Sequence, residues 1–434
     1  MPPTLTHAYW PDSTYRRREL PERVLQFGTG MLLRALCAAS VDAANRAGAF
    51  NGRIVVVQST PHGHARTINA QDGLFTLVER GLQNGAAVER SRLIGSLSRA
   101  LVADAEWDAV CEVAARPELQ VIVSNVTEAG FRLEAGFPAR LTDVLRARFE
   151  HLPDGPPLFV IPTELVPDNG PRLAAMVDAV AREGDRSNEF RTWRSAHVRF
   201  CSSLVDRITT GAPPPDQRAD IEAGLGYADA LLTLAEPYSL WAIEGDPLAL
   251  RTAFPIDGNP ESVVFAPDIG FYEERKLRLL NATHTAMAPL ALLAGVRTVR
   301  EAVEHPRLGA FLRRVLFDEI IPATDLPADA AEHFAQSVVE RFRNPWLEHE
   351  WRVILTNQET KMRIRVVPLI VSFGQRRERA PRGLALACAA HLALLKLPVD
   401  SLAEASLLPD FVEATTRWMR VLEHEGVEAA LAHD

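Results

Sequence analysis

Short apolar runs alternate with helical patterns along the N-terminal part of the chain. The four apolar runs lie at 22–27, 53–58, 119–124 and 158–162, and β-branched residues are frequent in the second and third. Helical patterns separate them, at about 31–47, 107–115 and 141–149. Strands that are apolar on both faces and alternate with helices are typical of a parallel sheet covered by helices. The pattern therefore predicts an α/β fold for this part of the chain.

The strand pattern weakens beyond about residue 272, where segments rich in Ala, Leu and Arg dominate. These segments indicate helices at 272–294, 298–317, 327–343, 384–395 and 401–431. A chain of 434 residues is too long for one compact core. We therefore predict two domains, a sheet domain at 1–240 and a mainly α-helical domain at 241–434, with the boundary somewhere between about 235 and 270. The proline-rich segment 211–220 is predicted to be a loop.

A glycine turn follows the first predicted strand. Gly28 and Gly30 flank Thr29 between that strand and a helix that begins at Met31. Such a turn lets a pyrophosphate approach the backbone, and the helix N-terminus favours its negative charge. The third glycine of the usual pattern is replaced by Leu33. The strand-turn-helix context favours a Rossmann-like dinucleotide site, and a purely structural turn is the alternative.

The end of the second predicted strand leaves the choice of dinucleotide open. It reads Gln58, Ser59, Thr60, without the acidic residue that usually binds the adenosine ribose. No arginine follows immediately, which weakens the case for a 2′-phosphate. The residues at this position alone therefore do not decide between NAD and NADP.

Composition and charge exclude several classes of partner. The net charge of −9 argues against binding to nucleic acid or to an anionic membrane surface. We find no signal peptide or membrane span, and four scattered cysteines fit a reducing compartment. We therefore predict a cytoplasmic protein that acts on a small molecule. Monomer and homodimer both remain open.

Lysine is rare in this chain. Of 47 basic residues only Lys276, Lys361 and Lys396 are lysine. Arginine keeps its proton near neutral pH, whereas a buried lysine can lose it. A retained lysine therefore marks a candidate proton-transfer site, with chance survival as the alternative. We prefer chance for Lys396, in an apolar C-terminal helix.

Lys276, Asn281 and His284 form the strongest candidate for catalysis. On an α-helix, Asn281 lies roughly 140° and His284 roughly 80° round from Lys276, so that all three can address one cleft. A desolvated lysine can take a hydroxyl proton while hydride leaves carbon. An amide N–H stabilises developing negative charge on oxygen. The competing interpretation is a surface lysine, a helical asparagine and a core histidine.

Two other dehydrogenase designs fit the sequence less well. Zinc enzymes need a cluster of Cys, His or carboxylate ligands, and the pair His62 and His64 has no third ligand nearby in the sequence. We therefore predict no metal site. Tyr272 and Lys276 match the Tyr-x-x-x-Lys pattern of short-chain reductases, but they lie where the helical domain begins.

Seven stretches resemble the long-chain mannitol dehydrogenase and uronate reductase family, and most closely its tagaturonate-reducing branch. They lie at 27–34, 71–77, 124–130, 162–170, 203–208, 241–246 and 341–345. The family pattern Lys-x4-Asn-x2-His is matched by Lys276, Asn281 and His284. The resemblance implies that these are the catalytic base, the oxyanion donor and the positioning residue.

The resemblance also implies an activity, a cofactor and contact residues. The activity is the metal-independent, NAD-dependent reduction of D-tagaturonate to D-altronate. Fructuronate or mannonate, a mannitol-type polyol, and a silent NAD-binding protein are the alternatives. The implied cofactor contacts are Phe27, Gly28, Gly30, Leu33, Arg34, Gln58, Ser59, Asn125, Thr127 and Glu128. The implied substrate contacts are Glu164, Asn169, Asp206, Lys361 and Arg363.

Two of these assignments carry their own alternatives. Lys361, with Arg363 and Arg365, either pairs with a substrate carboxylate or forms a solvated basic face. The polyol branch has a second oxyanion asparagine where this chain has Leu165. Either Asn169 replaces it or Asn281 acts alone, and this departure favours a uronate over mannitol.

Overall fold

The computed structural model describes residues 2–11, 13–127, 130–133, 136–184, 188–399, 401–402 and 408–433. The chain divides into two compact units. Unit 1 comprises Met1–Arg80 and Val88–Ile269, and unit 2 comprises Gly81–Ala87 and Gly270–Asp434.

The strands of the described residues all belong to unit 1, apart from the turn of one hairpin. They are β1 (Glu22–Phe27), β2 (Arg53–Gln58), β3 (Phe75–Gln83), β4 (Ala86–Ile94), β5 (Leu97–Val102), β6 (Val121–Ser124), β7 (Leu158–Pro162), β8 (Val198–Phe200), β9 (Ser203–Asp206), β10 (Thr209–Thr210), β11 (Thr233–Ala235), β12 (Leu240–Glu244) and β13 (Val263–Ala266).

A six-stranded parallel sheet forms the core of unit 1. Its strand order is β5-β2-β1-β6-β7-β8, and every neighbouring pair is parallel. The chain runs outward from β1 to β5 and then restarts at β6 on the other side of β1. The order therefore reverses between β1 and β6, which is where open α/β sheets bind their ligands. This confirms the predicted Rossmann-like sheet.

Alternate residues of the central strands enter two separate cores. Val24 and Val56 belong to the core on one face, whereas Leu25 and Val57 belong to the core on the other. Both faces are covered by helices, which is why the strand sequences read as continuous apolar runs.

Two smaller sheets complete unit 1 and explain its length. One has the order β10-β11-β3-β4, and the other has the order β13-β12-β9. Because β12 pairs with both β9 and β13, strands on both sides of residue 240 share one sheet. The first unit consequently continues to Ile269, beyond residue 240 and at the C-terminal end of the predicted boundary range.

Nine α-helical segments lie in the described part of unit 1. They are α1 (Met31–Leu33), α2 (Ala39–Arg46), α3 (Ala65–Ala70), α4 (Trp107–Ala114), α5 (Phe137–His151), α6 (Asn169–Gly184), α7 (Glu189–His197), α8 (Pro215–Leu225) and α9 (Pro247–Ala253). The prediction of a loop at 211–220 was wrong in its second half. Pro215 occupies the first turn of α8, where its missing N–H costs no hydrogen bond.

Unit 2 is helical, as predicted, in all its described elements from Gly270 onward. Its α-helical segments are α10 (Gly270–Arg275), α11 (Thr283–Leu293), α12 (Val299–Glu304), α13 (Pro306–Arg314), α14 (Ala328–Phe342), α15 (Trp351–Ile354), α16 (Gln358–Lys361), α17 (Val367–Arg377), α18 (Arg382–Leu395), α19 (Pro409–His424) and α20 (Val427–His433). The helical run from α16 to α17 was not predicted.

Within the described residues, four segments have π-helical hydrogen bonding. They are Arg34–Ala38, between α1 and α2, Lys276–Ala282, between α10 and α11, Val315–Ile320, after α13, and Met362–Val366, between α16 and α17. Such segments are rare and occur frequently at functional sites. Three of the four contain candidate site residues. Among the described helices, none combines the length and the apolar character needed to cross a bilayer.

Candidate active site

The glycine turn of unit 1 lies where the strand order of the main sheet reverses. Gly28 has φ +125°, and a Cβ at this position would lie 2.9 Å from the carbonyl oxygen of Asn125. The same Cβ would lie 3.3 Å from Cδ1 of Leu33. Only glycine therefore fits between the ends of β1 and β6. Leu33, which occupies the third glycine position of the usual pattern, packs next to Gly28, where a side chain is missing.

Gly30 leaves the approach to the helix N-terminus open. No heavy atom lies within 4 Å of where its Cβ would stand, and the first turn of α1 contains no acidic residue. Helical structure continues from Met31 to Arg46 through the π-helical segment. This backbone fits a dinucleotide pyrophosphate, which is attracted by the free N–H groups of a helix N-terminus.

Phe27 and Arg34 support the turn from inside the protein. The Phe27 ring is buried with its centroid 5.0 Å from that of Phe137, so only its backbone is available to a cofactor. Arg34 is also buried and donates to the carbonyl of Thr29 at 2.6 Å and to Thr233 Oγ1 at 3.0 Å. Burial lowers the pKa of Arg34 to about 10. The side chain therefore remains charged at neutral pH and positions the turn.

Gln58 organises the loop after β2. Its Nε2 donates to the carbonyl of Thr60 at 2.9 Å, and its Oε1 accepts from the backbone N–H of Ala65 at 2.9 Å. The Oγ of neighbouring Ser59 is buried and has no hydrogen-bond partner among the described residues. Of these two predicted cofactor contacts, only Ser59 therefore has a side-chain oxygen without a hydrogen-bond partner among the described residues.

The ends of β6 and β7 are joined by side-chain hydrogen bonds. Asn125 Nδ2 donates to Thr163 Oγ1 at 3.0 Å. Glu164 is buried and accepts from Ser124 Oγ at 3.1 Å and from the backbone N–H of Val126 at 2.9 Å. Burial raises the pKa of Glu164, and these hydrogen bonds oppose the rise. Glu164 therefore fixes the loop that carries Asn125.

The remaining predicted contacts near this loop differ in exposure. Thr127 is exposed, and Glu128 lies outside the described residues. Asp206 ends β9, where it is buried opposite Leu240. Leu165, at the position of the polyol branch's second asparagine, is 77% exposed.

Asn169 does not fit its predicted role as a replacement oxyanion donor. Its Nδ2 donates to the carbonyls of Glu164 at 3.0 Å and Ser203 at 2.9 Å, and its Oδ1 accepts from the Ser203 N–H at 2.9 Å. An amide nitrogen has two hydrogens, so none is left for a substrate. Asn169 instead anchors the start of β9. Of the two sequence-based alternatives, the one in which Asn281 acts alone fits this geometry.

In unit 2, Lys276 and Asn281 lie on the π-helical segment Lys276–Ala282. The α-helical angle of roughly 140° between them does not apply, because π-helical hydrogen bonds join residues i and i+5. Lys276 and Asn281 are five residues apart, so the segment brings them to the same side of the helix. Both side chains are half-buried. His284 follows in the first turn of α11.

Aromatic rings enclose His284. Its ring stacks on Phe342 with the centroids 4.2 Å apart and an interplanar angle of 25°. The rings of His349 and Trp351 meet it edge-on, at 5.0 Å and 6.2 Å. The Nε2 of His284 is buried and has no hydrogen-bond partner among the described residues. The ring is thus fixed in place while one nitrogen remains available to a ligand.

Burial and surrounding charge keep this imidazole neutral. Burial lowers the pKa of His284 well below its usual value, and His349, Arg341, Arg365 and Lys361 lower it further. Burial and Arg341 also lower the pKa of His349. We call the cations Arg341, Lys361 and Arg365, together with the neutral rings of His284 and His349 that they adjoin, the cationic cluster.

The predicted basic trio divides between two places. Lys361 Nζ donates to the carbonyl of Ile354 at 2.8 Å, and Arg365 donates to Thr285 Oγ1 at 3.3 Å. Both therefore belong to the cationic cluster beside His284. Arg363 is exposed and lines a separate cavity of about 50 Å³ with Glu359 and His391. The prediction that Arg363 contacts the substrate is therefore not supported by its position.

Two members of the cationic cluster were missed by the sequence reasoning. Arg341 lies in the stretch 341–345 that carries the family resemblance, which is a signal that was available. His349 had no signal, because nothing in its spacing relates it to His284. Among the described residues, no group of three His, Cys, Asp or Glu side chains is arranged to hold a metal ion.

The Rossmann-like parallel sheet of unit 1 with its glycine turn is the fold of an NAD-dependent oxidoreductase. The chain belongs to the mannitol dehydrogenase family: the model of the mannitol dehydrogenase Rossmann domain matches residues 22–254, and that of the mannitol dehydrogenase C-terminal domain matches residues 268–434.

Curated relatives support this family assignment over most of the chain. The altronate oxidoreductase of Klebsiella pneumoniae (strain 342) is 38% identical over 91% of this chain and 83% of its own length. That of Cronobacter sakazakii is 39% identical over 88% of this chain and 83% of its own length.

Solved structures share the fold. A substrate-free D-sorbitol dehydrogenase superposes with a TM-score of 0.83 at 21% identity, covering 99% of this chain and 100% of that chain. The Pseudomonas fluorescens mannitol 2-dehydrogenase, a ternary complex with NAD and D-mannitol, has a TM-score of 0.75 at 23% identity, covering 99% of each chain.

The lowered pKa values of His284 and His349 predict a loss of stability in acid. Below the usual histidine pKa of 6.5 the unfolded chain binds protons that the folded state does not accept. As the pH decreases below this value, the unfolding free energy therefore also decreases, by up to about 1.4 kcal/mol per pH unit for each histidine. Chemical denaturation at several pH values between about 5 and 7 measures this slope.

The control is the double variant His284→Gln/His349→Gln. The unfolding free energy of this variant is expected to change less with pH than that of the unsubstituted protein, because the other histidines contribute equally in both proteins. Identical slopes would mean that the two imidazoles are not held neutral in the folded state.

Proposed function

We propose that this protein catalyses the reversible, NAD-dependent reduction of D-tagaturonate to D-altronate. The observation that carries the proposal is the Lys276, Asn281 and His284 set, with the cations Lys361 and Arg365 beside the buried His284. Curated relatives named altronate oxidoreductase, 38–39% identical over about nine tenths of the chain, support the choice of sugar acid.

Unit 1 supplies the dinucleotide site. Bound NAD provides the chemistry of hydride transfer to and from the carbon that carries the reacting oxygen. The protein's part is to hold the pyrophosphate at the backbone of Gly28 and Gly30 and to place Asn125 at the end of β6. Glu164 fixes that loop through its hydrogen bonds to Ser124 and Val126.

Unit 2 supplies the proton and the oxygen-binding groups. Lys276 is assigned to donate a proton to the ketone oxygen during reduction and to take it back during oxidation. Asn281, on the same side of the π-helical segment, donates through its amide to the negative charge that develops on that oxygen. His284, held neutral by burial, uses Nε2 to position the same oxygen. The proposal needs no metal ion.

The cationic cluster supports the choice of a sugar acid over a polyol as the substrate. Lys361 and Arg365 hydrogen-bond to neutral oxygens of Ile354 and Thr285, so their charges are available to an anion. Burial and the neighbouring Arg365 lower the pKa of Lys361. A carboxylate bound there would relieve the repulsion between the two cations. A neutral polyol has no group that does this.

Fructuronate is the second candidate substrate, because it offers the same carboxylate and ketone in another configuration. The cationic cluster favours both uronates over mannitol-type polyols. The free cysteines, two of which are fully buried, agree with a cytoplasmic location, which we retain as part of the proposal.

Replacing Lys276 tests the assignment of the proton-transfer group. The Lys276→Ala variant is expected to lose about 10²–10⁴-fold in kcat, the usual contribution of a general acid or base. NADH binding, measured by fluorescence titration, is expected to persist because the dinucleotide site lies in unit 1. Lys396→Ala is the matched control, since this exposed lysine ends α18 and is expected to change neither quantity. A Lys276→Ala variant with full activity would remove the assignment.

Replacing Lys361 tests recognition of the carboxylate. The Lys361→Met variant keeps the length of the side chain and removes its charge. It is expected to raise the KM for tagaturonate by about 10- to 100-fold, the loss of one charge-assisted hydrogen bond. Arg363→Met is the control, because its side chain lies on the same helical run but lines the other cavity. Equal effects of the two substitutions would contradict the assignment.

A further inference from the structure

The side chain of Arg278 joins two helical runs of unit 2. The first run, 276–285, carries the residues assigned to proton transfer, and we call it the proton-transfer run. The second, 358–366, carries the cations assigned to the substrate carboxylate, and we call it the carboxylate run. Arg278 lies on the proton-transfer run, and its Nη1 donates to the carbonyls of Ile364 at 3.0 Å and Arg365 at 3.2 Å. One guanidinium nitrogen therefore binds two consecutive carbonyls of the neighbouring run.

The carbonyl of Ile364 lacks its usual helical donor. An α-helical N–H donates to the carbonyl four residues before it. The residue four after Ile364 is Pro368, which has no N–H. Pro368 lies in the first turn of α17, after the π-helical segment Met362–Val366. Arg278 thus supplies a donor where α-helical bonding cannot, and it contacts the carboxylate run at its distorted segment.

Arg278 is itself held in place. Its side chain is 15% exposed, and its Nε donates to Oε1 of Glu274, one helical turn earlier, at 2.8 Å. Because a guanidinium is planar and rigid, fixing Nε also restricts the direction of Nη1. The side chain is therefore oriented towards the two carbonyls before any substrate binds.

A second set of hydrogen bonds joins the same two runs beyond Asn281. Gln358 Nε2 donates to the carbonyl of Thr285 at 2.8 Å, and Arg365 donates to Thr285 Oγ1 at 3.3 Å. Thr285 Oγ1 in turn donates to the carbonyl of Asn281 at 2.8 Å. The carboxylate run is therefore fastened to the proton-transfer run on both sides of Asn281, by Arg278 before it and by Thr285 after it.

These hydrogen bonds fix the separation between the two runs. A sugar acid held by its carboxylate on one run presents its ketone to the other, so both ends of the substrate are constrained at once. Displacing a reacting group by about 1 Å can cost about 10²-fold in rate. A neutral ketose has no carboxylate, so its reduction does not depend on this separation.

We propose that Arg278 is a positioning residue that sets the selectivity for acids. It holds the carboxylate run in register with the proton-transfer run, so that a ketone bound through a distant carboxylate reaches Lys276 in the reacting geometry. Arg278 acts through the backbone of the carboxylate run. The inference rests on the proposed function, in which Lys276 transfers the proton and Lys361 and Arg365 bind the carboxylate.

Replacing Arg278 tests this role. The Arg278→Met variant keeps an extended side chain and removes every donor. Its ratio of kcat/KM for tagaturonate to kcat/KM for fructose is expected to fall at least about tenfold, mainly through kcat for tagaturonate. This ratio does not depend on the fraction of correctly folded enzyme, so a purely structural role would leave it unchanged. Equal losses with both substrates would overturn the proposal.

Two further variants separate the carbonyl contacts from the ion pair. Glu274→Gln removes the charge of the partner and leaves both carbonyl contacts, so the ratio is expected to stay within about threefold, because partly exposed ion pairs are weak. Arg278→Lys keeps a cationic donor and is expected to retain more of the ratio than Arg278→Met. A Glu274→Gln variant that loses as much as Arg278→Met would contradict the assigned role of the carbonyl contacts.

The unsubstituted protein separates this inference from the proposed function. If it reduces tagaturonate in preference to fructose and Arg278→Met keeps that preference, only the role of Arg278 fails. If the unsubstituted protein shows no preference for the acid, the proposed function fails and the inference fails with it.

Discussion

Burial of an imidazole among positively charged side chains is the constraint that organises unit 2. His284 is stacked on Phe342 and surrounded by His349, Arg341, Arg365 and Lys361, so it can be buried only as the neutral ring. A neutral ring with a free Nε2 can bind an alcohol or ketone oxygen without adding charge. The neighbouring cations in turn make the surroundings of this ring electropositive.

The π-helical hydrogen bonding of Lys276–Ala282 sets the register of the candidate catalytic residues. It brings Lys276 and Asn281 to one side of the helix, and α-helical geometry resumes at Thr283, one residue before His284. A second π-helical segment, Met362–Val366, is held against the first by Arg278, which donates to the carbonyls of Ile364 and Arg365 at 3.0 and 3.2 Å. The two π-helical segments, one carrying Lys276 and Asn281 and the other Arg365, are therefore joined through Arg278.

In unit 1 the corresponding constraint is the close approach of Gly28 to the carbonyl of Asn125. No side chain fits there, so the ends of β1 and β6 meet backbone to backbone at the reversal of the strand order. The helix N-terminus at Gly30 is thereby left open, which suits an anionic cofactor group.

Much of unit 1 was predictable because its strands are apolar on both faces and its glycine turn has a fixed place between strand and helix. The residues of unit 2 were less accessible to sequence reasoning. The run from Gln358 to Arg377 was missed because its β-branched residues and Pro368 interrupt a helical pattern. The side of the helix on which Asn281 lies was misjudged, because nothing in the sequence distinguishes the π-helical segment Lys276–Ala282 from an α-helix. The commitment of Asn169 to the backbone of Ser203 depends on strands distant in sequence, which spacing alone does not reveal.

The central claim is that this member of the mannitol dehydrogenase family reduces a uronate. It is tested most directly by NADH consumption with tagaturonate, fructuronate and fructose offered in parallel, in the presence of a metal chelator. Turnover of tagaturonate is expected to resist the chelator, with fructose reduced far more slowly. Fast reduction of fructose with no activity on either uronate would contradict it.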